Sequence, residues 1–353
     1  MIENGFRRGV IDQTLFIKEK GADIMLVQVY VDDIIFGSTD QKMVDEFEDV
    51  MQKRFKMSSL GAINFFLGLQ VDQTEKGIFL HQSKYVADIL SRFKMENERV
   101  SKNPLSVIHG ITPENTRAKV SPTLYKAIIG SLMYLTASRP DTMFATCLCA
   151  HYQAQPNVNH MLAAKKIMRY LKGTPSLGLW YPRKDGFGLT TYSDSDYGGC
   201  KIDFKSTSGG CQFLGSRLVS WQCKKQTAVA QSTCEVEYIV ATICTSQVVW
   251  IQQQLWDYVL HISNTPIYVD NTATIAVTKN PVNHSKTKHI GIKYHFIRDC
   301  YEKRLIDVLQ IGTQTQRADL FTKAFDRPRF LFLLNVLGVR ERAEVVSDKE
   351  LLK

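Results

Sequence analysis

The chain lacks a Cys-x-x-Cys pair, an internal repeat and an uninterrupted apolar run of membrane-spanning length. Its eight cysteines are scattered, which argues against a zinc ribbon and indicates reduced thiols in an intracellular protein. A transmembrane helix needs roughly 18 or more apolar residues in succession, so we expect no membrane span. The first residues, MIENGFRRGVIDQTLF, also lack the apolar core of a signal peptide.

The composition is that of an ordinary globular chain, with 353 residues of which 44% are hydrophobic and 22% charged. This length predicts two or three domains. The net charge of +9 favours a polyanionic partner, because Lys and Arg that neutralise phosphates gain affinity through counterion release. The positive excess is concentrated in residues 279–304, which hold seven Lys or Arg and two acids.

The segment QVYVDDIIFGST (28–39) places Asp32 and Asp33 between two apolar, β-branched runs. The pattern predicts a hairpin with the acid pair at its turn. Neighbouring side chains of a strand point to opposite faces, so two adjacent acids are a poor choice for folding alone. One interpretation is an ordinary Asp-rich turn; the other is a turn that holds metal.

Hydrophobic periodicity divides the remaining chain into alternating elements. In the first half we predict a helix over 40–55, a strand pair over 65–80 turned at EKG, a helix over 84–93, a linker over 101–122 and helices over 125–171 broken at Pro156 and Asn157. In the second half we predict three short strands from about residue 179, a helix over 233–258, the strand TPIYVD, a helix over 272–278, a basic helix over 290–303, the strand LIDVLQIG and a terminal helix from Ala318. Three antiparallel strands followed by alternating helix and strand is the order of the ribonuclease H fold.

The YVDD hairpin resembles that of reverse transcriptases of copia-type LTR retrotransposons. Other segments resemble the same family in order: FKMSSLGAINFFLGLQV and HQSKYVADILSRFKM after the hairpin, YKAIIGSLMYLTASRPD and HMLAAKKIMRYLKGTPSLGLWY in the connection, and YSDSDYGGC, STCEVEYIVA, YVDNTATIAV and ADLFTKAF in the ribonuclease H domain. The resemblance covers residues 1 to about 325. It implies an α/β fold class, with an α+β palm remnant and a helical connection followed by a ribonuclease H-like α/β domain containing a five-stranded mixed sheet.

The resemblance also implies a domain order. It predicts a partial reverse transcriptase palm and thumb over 1–100, a linker and helical connection over 101–180, a ribonuclease H-like domain over 181–325, and a C-terminal helix and tail over 326–353. The upstream aspartate and the fingers of a polymerase are missing from this order. We therefore expect Asp32 and Asp33 to be half of a polymerase metal site, without RNA-directed DNA polymerase activity from this chain alone.

Four acids lie at predicted element ends, and carboxylate oxygens are the ligands that Mg²⁺ prefers. Each acid alone has a structural explanation as a turn, cap or solvated helix residue. The resemblance implies that they are the catalytic and metal-binding acids of ribonuclease H, holding two Mg²⁺ ions, with Mn²⁺ as a substitute. These acids are Asp194, Glu237, Asp270 and Asp319.

Two assignments within this set require a choice. Glu235 and Glu237 are about 200° apart around a helix, so they cannot both face one cluster, and the family pattern favours Glu237. Asp194 and Asp196 would lie on the same strand face, so geometry does not separate them. The family pattern favours Asp194, and Asp196 remains the alternative.

The basic segment invites two further hypotheses. His284, His289 and His295 could hold zinc, but no cysteine pair accompanies them. Lys286, Lys288, Lys293 and Arg298 are the expected nucleic-acid-binding residues, contacting the backbone of an RNA/DNA hybrid that is recognised by shape, 2′-hydroxyls and phosphates.

The sequence thus predicts a ribonuclease H that cuts the RNA strand of RNA/DNA hybrids by two-metal hydrolysis within a truncated retrotransposon reverse transcriptase. The alternative is a decayed, inactive fragment that binds nucleic acid. Expected partners are an RNA/DNA hybrid and the polyprotein parts that supply the fingers and upstream palm, with no membrane. The expected location is intracellular, in cytoplasmic virus-like particles or in the nucleus.

Overall fold

A computed structural model describes residues 1–112, 118–200, 202–280, 290–347 and 351. Their contacts divide the chain into two compact units. The first contains Met1–Ile63 and Ser246–Ser263, and the second contains Asn64–Thr245 and the described part of Asn264–Leu352. The domain boundaries near residues 100, 180 and 325 do not coincide with this division and stay a prediction.

The first unit contains an antiparallel sheet of four strands in sequence order, one complete helix and, from Ser246, the end of a long helix that begins in the second unit. The strands are β1 (Arg7–Arg8), β2 (Leu15–Lys20), β3 (Asp23–Tyr30) and β4 (Asp33–Ser38), and the helix is α1 (Gln41–Arg54). α1 begins where predicted because the Asp40 side chain accepts a hydrogen bond from the Lys42 N–H at 3.1 Å. Met43 and Phe47 of α1 pack with Met25 and Val27 of β3, because alternate residues of a strand share a face.

In the second unit, an antiparallel sheet has the strand order β14-β8-β7-β6-β5. Its strands are β5 (Phe65–Phe66), β6 (Leu69–Thr74), β7 (Gly77–His81), β8 (Leu177–Pro182) and β14 (Val339–Glu341). Among the described residues, four α-helices come between β7 and β8 in sequence: α2 (Ser83–Arg92), α3 (Pro122–Leu135), α4 (Met143–Ala150) and α5 (Val158–Gly173). The described part of the predicted linker contains no helix or strand before α3, yet Leu105 and Ile111 are buried in the core with these helices.

The second sheet of this unit is mixed and has the order β11-β10-β9-β12-β13. Its strands are β9 (Leu189–Asp196), β10 (Thr207–Leu214), β11 (Arg217–Lys225), β12 (Thr265–Val269) and β13 (Ile306–Gln310), with the helices α6 (Thr233–Asp257), α7 (Thr272–Lys279) and α8 (Phe296–Glu302) between them in sequence. β9, β10 and β11 are antiparallel, whereas β12 is parallel to both β9 and β13. The predicted five-stranded mixed sheet and the α/β class are confirmed.

The C-terminal part departs from the predicted terminal helix at Ala318. Residues Ala318–Phe321 form a 3₁₀ turn, and the last long helix, α9, begins at Arg327 and ends at Val336. α9 begins there because Asp326 accepts a hydrogen bond from the Arg329 N–H and Pro328 fits the first helical turn. Beyond α9, where the sequence predicts a tail, β14 pairs with β8 and the short helix α10 (Arg342–Val345) follows.

The predicted basic helix over 290–303 is also divided. A 3₁₀ turn covers Ile292–His295, and α8 follows it. Gly291 precedes the turn, and the Tyr294 N–H donates to the Gly291 carbonyl at 2.9 Å.

One helix of the described residues, α6, is long and apolar enough to span a membrane by length and composition alone. The core helix of a soluble protein passes the same criterion, and 61% of the most apolar window of α6 is buried.

A fully buried ion pair lies just before α4. Arg139 and Asp141 are 0% and 3% exposed, and Arg139 donates from Nε and Nη2 to the carboxylate at 2.9 and 2.7 Å. The Tyr170 hydroxyl donates to the same carboxylate at 2.6 Å, and Arg139 Nη1 donates to the Thr174 carbonyl. These contacts join the turn before α4 to the end of α5.

Candidate active site

Three of the four predicted acids meet at one edge of the mixed sheet. Oxygen atoms of Asp194, Glu237 and Asp270 lie within 4.8 Å of one another. Asp194 lies near the carboxyl end of β9, and Asp270 directly follows β12, the parallel neighbour of β9. Because the carboxyl ends of neighbouring parallel strands lie at the same edge, the strand order brings these two acids together.

Glu237 enters this group from the first turns of α6. Its Oε1 accepts a hydrogen bond from the Ser195 N–H at 2.8 Å, which joins the helix to β9. Its other oxygen, Oε2, is buried without a hydrogen-bond partner. Glu235 instead accepts a hydrogen bond from the Gln231 N–H, so the helical spacing separates the two glutamates as expected.

Asp319 lies outside the three-acid group and is held by two cations. Its Oδ1 is 2.7 Å from Lys323 Nζ, and its Oδ2 is 2.8 Å from Arg329 Nη2. The 3₁₀ turn that carries Asp319 lies against β10 at Gly209, which pairs with Asp194. A Cβ at Gly209 would lie 2.9 Å from the Ala318 carbonyl oxygen, so a glycine is required for this close approach.

Burial and like charge shift the titration of two acids of the group. Burial, with Asp319 and Asp270 adding negative charge, raises the pKa of Asp194 to about 7 against the opposing effects of Lys323 and Thr322. Burial and the charges of Asp194 and Asp270 raise the pKa of Glu237 to about 9. A cation would relieve both effects, because it favours the charged carboxylates.

The alternative acid, Asp196, is less buried than Asp194 and is not part of the three-acid group. Burial is also the largest cause that raises its pKa, and Asp319 contributes. The two aspartates share a strand face, but the described geometry brings only Asp194 close to both Glu237 and Asp270.

The three-acid group has the chemistry of a hard-cation site. All of its ligands are carboxylate oxygens, which suits Mg²⁺ or Mn²⁺ better than zinc. The buried, unpaired Glu237 Oε2 is a second indication, because a polar atom without a partner is costly inside a protein. The residues therefore fit a divalent metal ion held by Asp194, Glu237 and Asp270.

Several supporting residues were not predicted from the sequence. The Thr322 hydroxyl donates to Asp194 Oδ2 at 2.5 Å, and Gln316 is fully buried and donates to the Ser193 carbonyl at 2.9 Å. Thr322 and Lys323 belong to the ADLFTKAF segment. The sequence motif therefore included both residues but did not indicate what they contact. No sequence signal indicates that Arg329 reaches back to Asp319.

The hairpin acids have a different environment. Asp32 lies in the two-residue turn between β3 and β4, Asp33 begins β4, and both are exposed. Val31 has a φ of 50°, an uncommon and strained conformation for a β-branched residue. In the part of the chain that the structure describes, no third His, Cys, Asp or Glu completes a metal-binding group with the acid pair.

The predicted nucleic-acid contacts are only partly visible. Lys286, Lys288, His284 and His289 lie outside the described residues. Lys293 is exposed and its Nζ lies 4.9 Å from the centre of the Tyr294 ring.

The other two residues of the basic segment make contacts within the fold. Arg298 donates from Nε to the Val277 carbonyl at 2.9 Å, so part of its guanidinium group is used in a hydrogen bond within the fold. His295 Nδ1 lies 3.1 Å from the Tyr238 hydroxyl, which gives this histidine a hydrogen-bond partner within the fold. The predicted phosphate contacts of Lys293 and Arg298 stay a prediction.

Comparisons with known proteins agree with this architecture. Residues 1–107 match the family described as reverse transcriptase (RNA-dependent DNA polymerase). The chain is 33% identical over 336 residues to the retrovirus-related Pol polyprotein from transposon RE1 of Arabidopsis thaliana, covering 95% of this chain and 23% of the relative. It is 31% identical over 326 residues to the corresponding polyprotein from transposon TNT 1-94 of Nicotiana tabacum, covering 90% of this chain and 24% of the relative.

A solved structure of RNase H1 from the archaeon Halobacterium salinarum also matches, with a TM-score of 0.27 and 10% identity, over 38% of this chain and 93% of that one. This score is low, and the fold assignment depends on the strand order described above.

Fold and sequence together define the class: a segment that matches the reverse transcriptase family precedes an α/β domain with the ribonuclease H strand order. Over 90% to 95% of its length the chain is similar to retrovirus-related Pol polyproteins of transposons, at 31% to 33% identity. It spans about a quarter of the length of these curated relatives, 23% to 24%.

Proposed function

We propose that the second unit is a divalent-metal-dependent ribonuclease that cuts the RNA strand of RNA/DNA hybrids. The observation that carries the proposal is the convergence of Asp194, Glu237 and Asp270 within 4.8 Å at one sheet edge. Metal-assisted hydrolysis of a phosphodiester needs such a convergence, because the carboxylates would hold the divalent cations that neutralise the charge developing on the attacking and leaving oxygens. The net charge of +9 supports a polyanionic substrate.

Each acid has a defined part in this proposal. Asp194, Glu237 and Asp270 are the catalytic, metal-binding residues. Asp319 forms an ion pair with Lys323 and orients its ammonium group. Divalent metal ions, when bound, activate the attacking water and stabilise the leaving oxygen. The Ser195 N–H orients Glu237 and the Thr322 hydroxyl orients Asp194, so both carboxylates are positioned before substrate binds. Cleavage would leave a 3′-hydroxyl and a 5′-phosphate.

The hairpin belongs to a separate proposal. Asp32 and Asp33 would bind polymerase metals together with residues from another part of the polyprotein. Their exposure on a turn is compatible with ligands that come from elsewhere.

The test uses the purified full chain with Mg²⁺ and three labelled duplexes: an RNA/DNA hybrid, double-stranded RNA and double-stranded DNA. We expect cleavage of the hybrid, in its RNA strand only. The Glu237→Gln variant keeps the shape of the side chain and should not cut. A folded parent that binds the hybrid but leaves it intact in Mg²⁺ and in Mn²⁺ would contradict the proposal and favour an inactive nucleic-acid-binding protein.

A further inference from the structure

The Lys323 ammonium group lies between two buried acids of the candidate site. Its Nζ is 2.7 Å from Asp319 Oδ1 and 3.9 Å from Asp194 Oδ2. The two carboxylate side chains are only 3% and 5% exposed, whereas the lysine side chain is 38% exposed. A positive charge is therefore already present at the side of Asp194 that faces Asp319.

The other contacts of Asp319 leave it little capacity for a further cation. Arg329 Nη2 donates to Asp319 Oδ2 at 2.8 Å, and the same nitrogen donates to the Thr313 carbonyl at 3.1 Å. Both oxygens of Asp319 thus have a cationic partner, and Oδ1, which accepts no hydrogen bond, depends on the charge of Lys323 alone. A metal ion that used Asp319 as a ligand would have to displace one of these cations.

The same side of Asp194 is also occupied by a hydroxyl. Thr322 Oγ1 donates to Asp194 Oδ2 at 2.5 Å. Asp194 Oδ2 is also the oxygen that lies 3.9 Å from Lys323 Nζ. Thr322 and Lys323 are consecutive, and the 3₁₀ turn that precedes them is fixed against β10 at Gly209. This backbone constraint holds the lysine close to Asp194.

The three-acid group is arranged differently, because Asp194, Glu237 and Asp270 can surround one ion and Asp319 lies outside that group. In two-metal sites, the two cations are about 3.5–4 Å apart and share ligands. An ammonium group is a compact point charge that can neutralise a carboxylate but binds no water as a Lewis acid.

We propose that Lys323 takes the place of the second cation, so that the site binds one divalent ion through Asp194, Glu237 and Asp270. The proposal rests on the metal site of the proposed function and deepens it. Lys323 is a positioning residue, because its ammonium neutralises Asp319 and the adjacent side of Asp194. The expectation of two Mg²⁺ ions would then be replaced by one ion and one lysine.

The test counts Mn²⁺ ions bound to the full chain by electron paramagnetic resonance of the free ion, without substrate. The parent should bind one ion per chain at this site, and Lys323→Met should bind two, because Asp319 becomes available. The matched control is Lys303→Met. Lys303 forms an ion pair with Asp299 at 2.8 Å with the same i,i+4 spacing, but on an exposed surface, so this variant should bind one ion like the parent.

Three outcomes would contradict the inference. Two ions bound by the parent would overturn it, and the proposed function would remain if the parent cuts hybrids. One ion bound by a folded Lys323→Met variant would show that the lysine does not exclude the second ion. No ion bound by the parent would overturn the metal site and this inference together. The parent measurement needs no substitution, so the test stands even where Lys323→Met does not fold.

Discussion

The chain carries two acidic sites that differ in almost every physical respect. Asp32 and Asp33 are adjacent in sequence, exposed, and located on one hairpin turn. Asp194, Glu237 and Asp270 are far apart in sequence and come together through the strand order of the mixed sheet. The hairpin pair is visible in the sequence at once, whereas the buried group exists only after folding.

This difference distinguishes an acidic motif in the sequence from a group of acids that the fold brings together. Burial raises the pKa of Asp194 and Glu237, because each charged carboxylate has lost water and faces another acid. The fold maintains this unfavourable arrangement with contacts from Ser195, Thr322 and Lys323. Perturbed titration together with convergent geometry is typical of functional sites, and the exposed pair lacks that convergence within the described residues.

The largest effect on cleavage should come from substituting one of the two aspartates of β9, Asp194, and not the other, Asp196. Asp194→Asn should reduce hybrid cleavage by about 1,000-fold or more, because catalytic groups that act as a unit lose most of the rate when one is removed. Asp196→Asn should reduce it far less, since Asp196 lies outside the three-acid group. Initial cleavage rates of the two variants decide the matter, and the opposite order would make Asp196 the functional acid.

A second prediction compares buried with exposed charge in the framework. Asp141→Asn should lower the free energy of unfolding by about 3–5 kcal/mol, because it leaves Arg139 buried without a charged partner. The control, Asp49→Asn, removes an exposed i,i+4 pair with Lys53 and should change stability by less than about 0.5 kcal/mol. Urea unfolding measures both variants. Equal losses would show that burial does not determine the cost.

Local and periodic features could be predicted from the sequence. The spacing of Glu235 and Glu237 was enough to predict that only one of them faces the cluster, because helical geometry is fixed at 3.6 residues per turn, and the family pattern favoured Glu237. α1 was predicted within one residue at each end, since Asp40 is a strong N-cap. The order of strands and helices along this domain was predicted from periodicity, and the resemblance implied a five-stranded mixed sheet, but the order of the strands within the sheet comes from the structure.

Long-range contacts could not be predicted in this way. The pairing of β8 with β14 joins segments about 160 residues apart, and the Asp319 contact with Arg329 depends on the bend before α9. Which of Asp194 and Asp196 lies close to Glu237 and Asp270 could not be predicted from strand geometry either, because both point to the same strand face. The 3₁₀ turn at Asp319 was predicted as a helix, because the adjacent apolar residues Leu320 and Phe321 are compatible with both.

The buried group also predicts how stability depends on pH without metal. The pKa of Glu237 is about 9 in the folded chain, while an unperturbed glutamate has a pKa of about 4.3. The folded state therefore keeps a proton that the unfolded state has lost, and the free energy of unfolding should fall as pH rises between these values. Asp194, with a pKa of about 7, should add to the fall below neutral pH.

Urea unfolding at pH 5, 7 and 9 with a chelator measures this fall. Glu237→Gln should reduce the slope, and an excess of Mg²⁺ should restore the stability of the parent at pH 9. A slope that is unchanged in Glu237→Gln would show that this carboxyl group is not protonated in the folded state.

The smallest predicted effect concerns the hairpin. Val31→Gly should raise the free energy of unfolding of the first unit by about 1 kcal/mol, because glycine adopts a φ of 50° without the strain of a β-branched side chain. Val29→Gly in β3 is the control and should lower stability, since glycine weakens a strand interior. Thermal unfolding compares the two, and a loss of stability in Val31→Gly would show that the turn is not strained.

The most direct test of the central claim is hybrid cleavage by two isosteric variants, Asp270→Asn in the buried group and Asp33→Asn in the hairpin, measured beside the parent in Mg²⁺. The account predicts that Asp270→Asn abolishes cleavage and that Asp33→Asn cuts at the parental rate. Cleavage that survives in Asp270→Asn, or that is lost in Asp33→Asn, would contradict the assignment of function to the buried acids.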